Sequence, residues 1–421
     1  MVTIEEGRAL AEDLDARDAL GPLRDSFLFP RGRDGAPVVY LTGNSLGLQP
    51  RTVKDRVQEV LEDWAGRGVE GHVQGESPWL PYHRFLTAPT ARLVGAQADE
   101  VVVMNTLTVN LHLLMVSFYR PTAGRHRILY EASAFPSDRY AFASQVRFHG
   151  FDPAEALVPL SPRPGEDLLR PEDLLEAIAR QGERLALVLI GDVNYLTGQA
   201  FDVGAITRAG HGVGATVGFD LAHGAGNLVF HLHDDGPDFA VWCSYKYLNG
   251  GPGSLGGAFV HARHREGRGF PRFEGWWGHE EATRFEMGPR FQGTAGAEGW
   301  QLSNPPILSM AALRASMDLF DAVGMTALRR KSERLTGLMD QLIRDLPGLE
   351  IITPADPPQR GAQLSLRIRD ARGLVYRLAM AGVVCDYREP DIVRAAPAPF
   401  YTRFVDVVRF AEVLRSHVQG K

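Results

Sequence analysis

The chain reads as an α/β protein, with a mostly parallel sheet in a large domain and a small α+β domain after it, on three observations. Short apolar runs (EVVVMN, HRILYEAS, LALVLIGDV, ATVGFDLAH, PDFAVWCSY, GGAFVHA) alternate with helical or loop segments as far as about residue 305. Strands buried on both faces of a parallel sheet give near-continuous apolar runs of this kind. From Pro306 the pattern changes to a helical stretch, ILSMAALRASMDLFDAVG, then a strand QLSLRI, a helix, strands VVCDYR and DIVRAAP, and a last helix RFVDVVRFAEVLRSH. Finally, 421 residues at 44% apolar and 23% charged suffice for one large domain plus a smaller one.

Taken in order, MVTIEEGRALAEDLDARDAL is acidic and helical in pattern, without the basic and apolar regions of a signal peptide. After a loop-like GNSLGLQP, Val53, Val57, Val60, Leu61 and Trp64 recur at helical spacing, and Gly66 and Gly68 end that helix. The expected division is 1–50, a segment joining the small domain; 51–305, the large domain; and 306–421, the small domain. Loops are expected at 161–166 and 353–360, and no internal repeat is visible.

Several function classes drop out. The net charge is −6 with no basic run, which argues against nucleic acid or an anionic membrane as partner and for a small-molecule substrate. No apolar stretch reaches membrane-spanning length. Cys243 and Cys385 stand alone, too few for a disulfide framework or cysteine-rich zinc site, so a cytoplasmic location is expected. The histidines of HLHDD (231–235) and HARH (261–264) have no third ligand group converging on them in sequence, and no metal is expected.

Ligands of open α/β sheets bind beyond the carboxyl ends of the strands, which draws attention to Asn105, Ser133, Asp192, Asp220 and Ser244. In CSYKYLNGGPGSLGG, Lys246 follows an apolar strand and precedes five glycines within eleven residues. A lysine so placed suits Schiff-base chemistry, since partial burial frees its amine; a surface lysine beside a tight turn is the competing reading. Asp220, ending ATVGFD, suits the carboxylate that keeps a pyridoxal phosphate (PLP) ring nitrogen protonated, or else a helix cap. His223 is a candidate neighbour or a satisfied core histidine. Thr106 and Thr108 precede an apolar helical run, where backbone N–H groups could receive a phosphate or simply be capped. Arg394 sits in an extended apolar segment, where its planar fork could grip a carboxylate. Of Trp276 and Trp277, adjacent among glycines, at least one should face an interface or pocket.

These segments together resemble the kynureninases, PLP-dependent enzymes of the aspartate aminotransferase structural group (fold type I). The resemblance runs through GNSLG (43–47), GHxxGxxPW (71–79), LTVNLHLLM (107–115), FPSD (135–138), YLTGQ (195–199), FDLAHGAGN (219–227), WCSYKYLNGG (242–251), GWWGHE (275–280), SNPPIL (303–308) and VVCDYREPDIVRAAPAP (383–399). It implies hydrolytic Cβ–Cγ cleavage of L-kynurenine to anthranilate and L-alanine, in tryptophan catabolism, by a homodimer with shared active sites. It further implies Lys246 as the Schiff-base lysine, Asp220 as the ring-nitrogen partner and Leu107 and Thr108 as the cofactor cradle. Phe135 would stack on the ring, Asp138 and His223 would neighbour ring or phosphate, and Tyr245 would be phosphate ligand and proton carrier. Trp276 and Asn304 would reach in from the second subunit, while Ser45, His72, Asn304 and Arg394 would contact substrate, Arg394 through its α-carboxylate. His72, Ser303 and Asn304 resemble the aromatic-ring pocket of members accepting 3-hydroxykynurenine. One departure is visible: Gly191 stands where a cofactor-facing Ser or Thr is expected, so a nearby hydroxyl or water must replace it. The alternatives are a cysteine desulfurase or selenocysteine lyase, which needs a mobile loop cysteine, and a silent PLP-binding protein.

Overall fold

The computed structural model describes residues 2–266 and 270–419. Its large sheet has seven strands: β1 (Val101–Met104), β2 (Arg127–Glu131), β3 (Leu157–Leu160), β4 (Leu185–Gly191), β5 (Thr216–Asp220), β6 (Phe239–Cys243) and β7 (Gly256–Val260). The spatial order is β1-β7-β6-β5-β4-β2-β3, with β7 antiparallel to both its neighbours and the other pairings parallel. The apolar runs form the interior of this sheet, and β4 is buried from Leu185 to Ile190 because both faces are covered. The parallel strands end along one edge, where Gly191 pairs in register with Asp220 and Glu131 closes β2.

Four helices matter for this edge. α2 (Val53–Arg67) packs against α5 (Ile307–Val323), and α3 (Leu107–Phe118) packs beside α4 (Pro136–Phe148). The N-termini of α3 and α4 both point to the edge at which the parallel strands end. Met310, Leu313, Met317 and Phe320 of α5 belong to the core of the large sheet. On α2 the expected apolar stripe is buried only at Val60, while Leu61 and Trp64 stay exposed in the single chain.

The second sheet is antiparallel, β8 (Leu349–Ile351), β9 (Leu364–Ile368), β10 (Asp386–Arg388) and β11 (Ile392–Ala395), in the order β8-β9-β11-β10. Helices α6 (Met325–Ile343), α7 (Ala371–Met380) and α8 (Phe404–Gln419) cover it, and α1 (Ile4–Ala16) lies on α8. The start of the chain is woven into this unit. Ala11 and Leu41 join its core, Val39–Tyr40 pairs with Val383–Val384, and the Asp15 carboxylate accepts from the N–H groups of Phe404 and Val405 at 2.8 and 3.0 Å. A carboxylate at a helix start is favoured by the helix dipole.

Candidate active site

A cavity of about 310 Å³ opens where the parallel strands end. It is lined by Ser45, Leu107, Thr108, Phe135, Asp138, Gly191, Asp220, His223, Tyr245, Lys246 and Arg394 from the sequence expectations, which places most of that set in one space. Lys246 is half-buried in the turn after β6, its Nζ 6.0 Å from the Phe135 ring centroid and 5.9 Å from that of Tyr245. That turn is fixed from outside: Gly47 N–H donates to the Tyr245 carbonyl at 2.8 Å, and a Cβ on Gly47 would lie 2.4 Å from the Lys246 carbonyl oxygen. GNSLG therefore needs glycine at 47 for close approach to the lysine segment.

The floor is acidic. Asp220 and Asp138 are buried and lie close enough for each carboxyl to act on the other, and Asp220 Oδ1 accepts from Ala222 N–H at 2.8 Å. Burial first, and then the facing Asp220, holds Asp138 well above the usual carboxylate range; burial likewise raises Asp220. Asp138 Oδ1 has no protein partner although it is buried. A cationic ring nitrogen would satisfy this pair. At the wall, Thr108 on the first turn of α3 and Ser137 on the first turn of α4 bring their hydroxyls to 2.9 Å, beside N–H groups suited to a phosphate.

His223 is buried, which pushes its imidazole well below the usual range, with the charge of Lys246 acting the same way, so it is neutral. The Tyr245 phenol is pushed up by burial and stays protonated at neutral pH, a hydrogen-bond donor and not a base. Arg394 is only 1% exposed. Its Nε donates to Asp386 Oδ1 at 2.7 Å, Nη2 to Asp386 Oδ2, and Nη1 to the Tyr195 carbonyl at 2.6 Å. Three of the guanidinium's five N–H groups are thus committed, leaving one on each terminal nitrogen for a carboxylate.

The structure also sorts residues the sequence could not. Asp192 and Ser244 lie buried behind the cavity: a Cβ on Gly224 would collide with Asp192 Oδ2. Ser133 accepts from Asn194 Nδ2 at 2.8 Å, and Asn105 turns the chain at φ 46° with its amide on Asn110. His72, Trp276 and Asn304 do not line this chain's cavity. His72 packs edge-on against Trp79, Ser303 and Asn304 are exposed, and Trp276 is 40% exposed whereas Trp277 is buried. Sequence reasoning missed Asn44, Glu131, Tyr195 and Arg388, all on the cavity wall. Asn44 adjoins the noted Ser45 and leaves its buried Oδ1 unpartnered.

A third ligand-type group does converge on the histidines once the chain is folded. Glu100, His233 and His261 lie together, but Glu100 Oε1 accepts from His233 at 2.9 Å and Ala262 N–H at 2.7 Å, while His261 Nδ1 accepts from Arg263 N–H. These bonds tie three loops with the groups a metal would need.

Comparison with known proteins agrees with this geometry. The family model described as the kynureninase C-terminal domain matches residues 328–414. A kynureninase of Myxococcus xanthus (strain DK1622) is 64% identical over 418 residues, covering 99% of this chain and 98% of that protein. Among solved structures, the apo cysteine desulfurase from Thermococcus onnurineus NA1 superposes with a TM-score of 0.76 at 17% identity, over 91% of this chain and 95% of that one. A variant of C-DES with glycine covalently linked to its PLP cofactor superposes at 0.74 and 15% identity, over 92% and 99%. The structural neighbours establish a shared fold, and the near-full-length identity establishes the family: the chain belongs to the kynureninases.

Proposed function

We propose that the chain is a PLP-dependent hydrolase that cleaves the Cβ–Cγ bond of L-kynurenine to anthranilate and L-alanine, in the cytoplasm, as a step of tryptophan catabolism. The observation that carries this is the cavity, in which one lysine faces an aromatic ring, a buried carboxyl pair and an arginine with two free N–H groups. PLP fits these residues: Lys246 would hold it, Phe135 would stack on it, Asp220 and Asp138 would face its ring nitrogen, and Leu107, Thr108 and Tyr245 would surround its phosphate. When bound, it supplies an electron sink for the pair left at the substrate's Cα.

The protein's own groups account for the rest. Arg394 orients substrate through its α-carboxylate, with Asp386 holding the guanidinium plane. Once substrate replaces it, the Lys246 amine is free to take the Cα proton. Tyr245, protonated, is placed to deliver a proton later in the sequence, when the anthranilate moiety leaves. His223, neutral beside Lys246, adds no competing positive charge. A desulfurase reading has less support, because Cys243 and Cys385 are both buried and burial pushes both thiols up, away from the mobile thiolate such chemistry needs.

We further propose a homodimer in which Trp276, His72 and Asn304 serve the partner's site and shape its ring pocket, accepting 3-hydroxykynurenine as well. In support, Trp276 is exposed, and an apolar groove of Val60, Trp64, Trp79, Pro306, Ile307 and Leu308 lies uncovered beside His72 and Asn304. The division into 1–50, 51–305 and 306–421 belongs to this reading; α5 packs in the core of the large sheet, and α6 joins the two cores, with Met325 and Leu328 in that of the large sheet and Leu335 and Leu338 in that of the small one.

The test is direct. Purified protein with PLP and L-kynurenine should give anthranilate fluorescence and equimolar alanine; a visible cofactor band without either product would sink the assignment. Arg394→Lys should raise KM for kynurenine roughly 10- to 100-fold, the worth of a charged bidentate contact, with a smaller change in kcat. An unchanged KM would remove Arg394 from substrate binding.

A further inference from the structure

Three adjacent parallel strands present Glu131, Gly191 and Asp220 in a row at the cavity edge, from β2, β4 and β5. Gly191 contributes no side chain, and Glu131 fills the gap: a Cβ on Gly191 would stand 3.0 Å from Glu131 Oε1. The orientation of the carboxyl is fixed by Asn194. Asn194 Oδ1 accepts from the N–H groups of Leu196 and Thr197, both at 2.9 Å, so its Nδ2 must face the other way, donating to Glu131 Oε2 at 3.0 Å. Glu131 Oε2 is therefore an acceptor, and Oε1 is the atom turned to Gly191.

We propose that Glu131 is a positioning residue of this site, whose Oε1–H does the work expected of a hydroxyl at 191 by donating a hydrogen bond to the phenolic oxygen of the bound cofactor. The inference rests on the PLP reading of the cavity. The carboxyl suits a donor because burial, reinforced by the charge of Asp220, pushes it up to about 7 against the opposing Asn194 bond. The titratable groups around it are Asp220 on β5, Asp138 on α4 and Asp192 just past β4, and the Lys246 side chain shares the cavity wall. Asp138 and Asp192 are themselves held well above the usual carboxylate range by burial, so among these neighbours the charge of Asp220 is the one that favours the proton on Glu131.

Glutamine reproduces this arrangement without titrating, since its carbonyl can accept from Asn194 while its NH₂ faces Gly191. Alanine removes it. The experiment titrates the visible band of the bound cofactor with pH and measures PLP affinity, in the unmodified protein, Glu131→Gln, Glu131→Ala, Gly191→Ser and the Glu131→Ala/Gly191→Ser double variant. Loss of a donor to the phenolic oxygen should raise the midpoint of the band in Glu131→Ala by roughly one pH unit and weaken PLP about tenfold. Glu131→Gln should hold the midpoint, and the double variant should restore it with a serine hydroxyl in the vacated space. Gly191→Ser alone should weaken PLP, because its side chain meets Oε1.

A Glu131→Ala midpoint equal to that of the unmodified protein would overturn the proposal, even if PLP affinity or thermal stability fell, since a merely structural carboxyl would leave the band unmoved. Additive effects in the double variant would overturn it as well. Should Glu131→Ala fail to fold, a shifted midpoint in Glu131→Gln would do so. The unmodified protein separates this from the wider reading: if it shows no visible band with PLP, the cofactor assignment has failed.

Discussion

Lys246→Ala should release no measurable anthranilate, a loss of at least about 10⁴-fold, because one amine is asked both to hold the cofactor and to move the Cα proton, and positioned proton transfer alone contributes 10²- to 10⁴-fold. Among the described residues it is the one lysine on the cavity wall. The substitution should leave the fold intact. The Lys246 side chain is half-buried with no carboxylate salt partner recorded for it among the described residues, and its turn is held by backbone contacts: Gly47 N–H to the Tyr245 carbonyl at 2.8 Å and Gly250 N–H to the Ser244 carbonyl at 2.8 Å. The thermal midpoint of the cofactor-free protein should therefore move by no more than a few degrees, about 1 kcal/mol or less at this size. A small external amine should restore part of the turnover by entering the space left by the side chain. Residual activity above about 1% without added amine would show that another group moves the proton.

What the sequence made legible was what is local. Asp220 closes an apolar run and Lys246 follows one by three residues, and a run of four or five buried residues identifies its own strand. Strand ends were legible only to within a residue or two, and this is where reading failed. Successive side chains on a strand point to opposite faces, so a slip of one residue exchanges cavity for core. Asp192 stands one residue beyond β4 and is buried behind the site, while Gly191 faces the cavity. Ser133 was singled out where Glu131, two residues earlier, ends β2 and lines the wall. Tyr195 comes from a loop of the large domain, and the meeting of its carbonyl with Arg394 of the small sheet is a tertiary fact without a local pattern; Arg388 reaches the wall from the strand paired with that of Arg394. Glu100 joined His233 and His261 from more than a hundred residues away for the same reason. The exposed Leu61 and Trp64 of α2 show the converse: an amphipathic stripe states that a face will be covered, not by what.

Asp220→Asn should separate activity from stability. The amide keeps the size of the side chain and its Oδ1 can still accept from Ala222 N–H, so the local turn survives. It cannot carry the charge that keeps a ring nitrogen protonated, and without that charge the electron pair at Cα has a poorer sink. We expect kcat to fall about 10³-fold, in the range found when one preorganised electrostatic contact is removed, with KM changed far less. Exchange of the Cα proton with deuterated solvent should slow in parallel, since that is the step the carboxylate serves. Stability should move the other way. Asp138 and Asp220 both sit above the usual carboxylate range in the folded, cofactor-free protein, so each is more easily protonated folded than unfolded. Their contribution is fully present below the unfolded value, near pH 4, and is lost as pH rises toward the folded one. Removing one carboxyl relieves the other, and the cofactor-free Asp220→Asn protein should lose less stability than the unmodified protein between pH 5 and 8. Thermal melts at both pH values check this: a variant that melts lower than the unmodified protein at pH 8, or one that keeps kcat within tenfold, would take Asp220 out of the role its place at the end of β5 suggests.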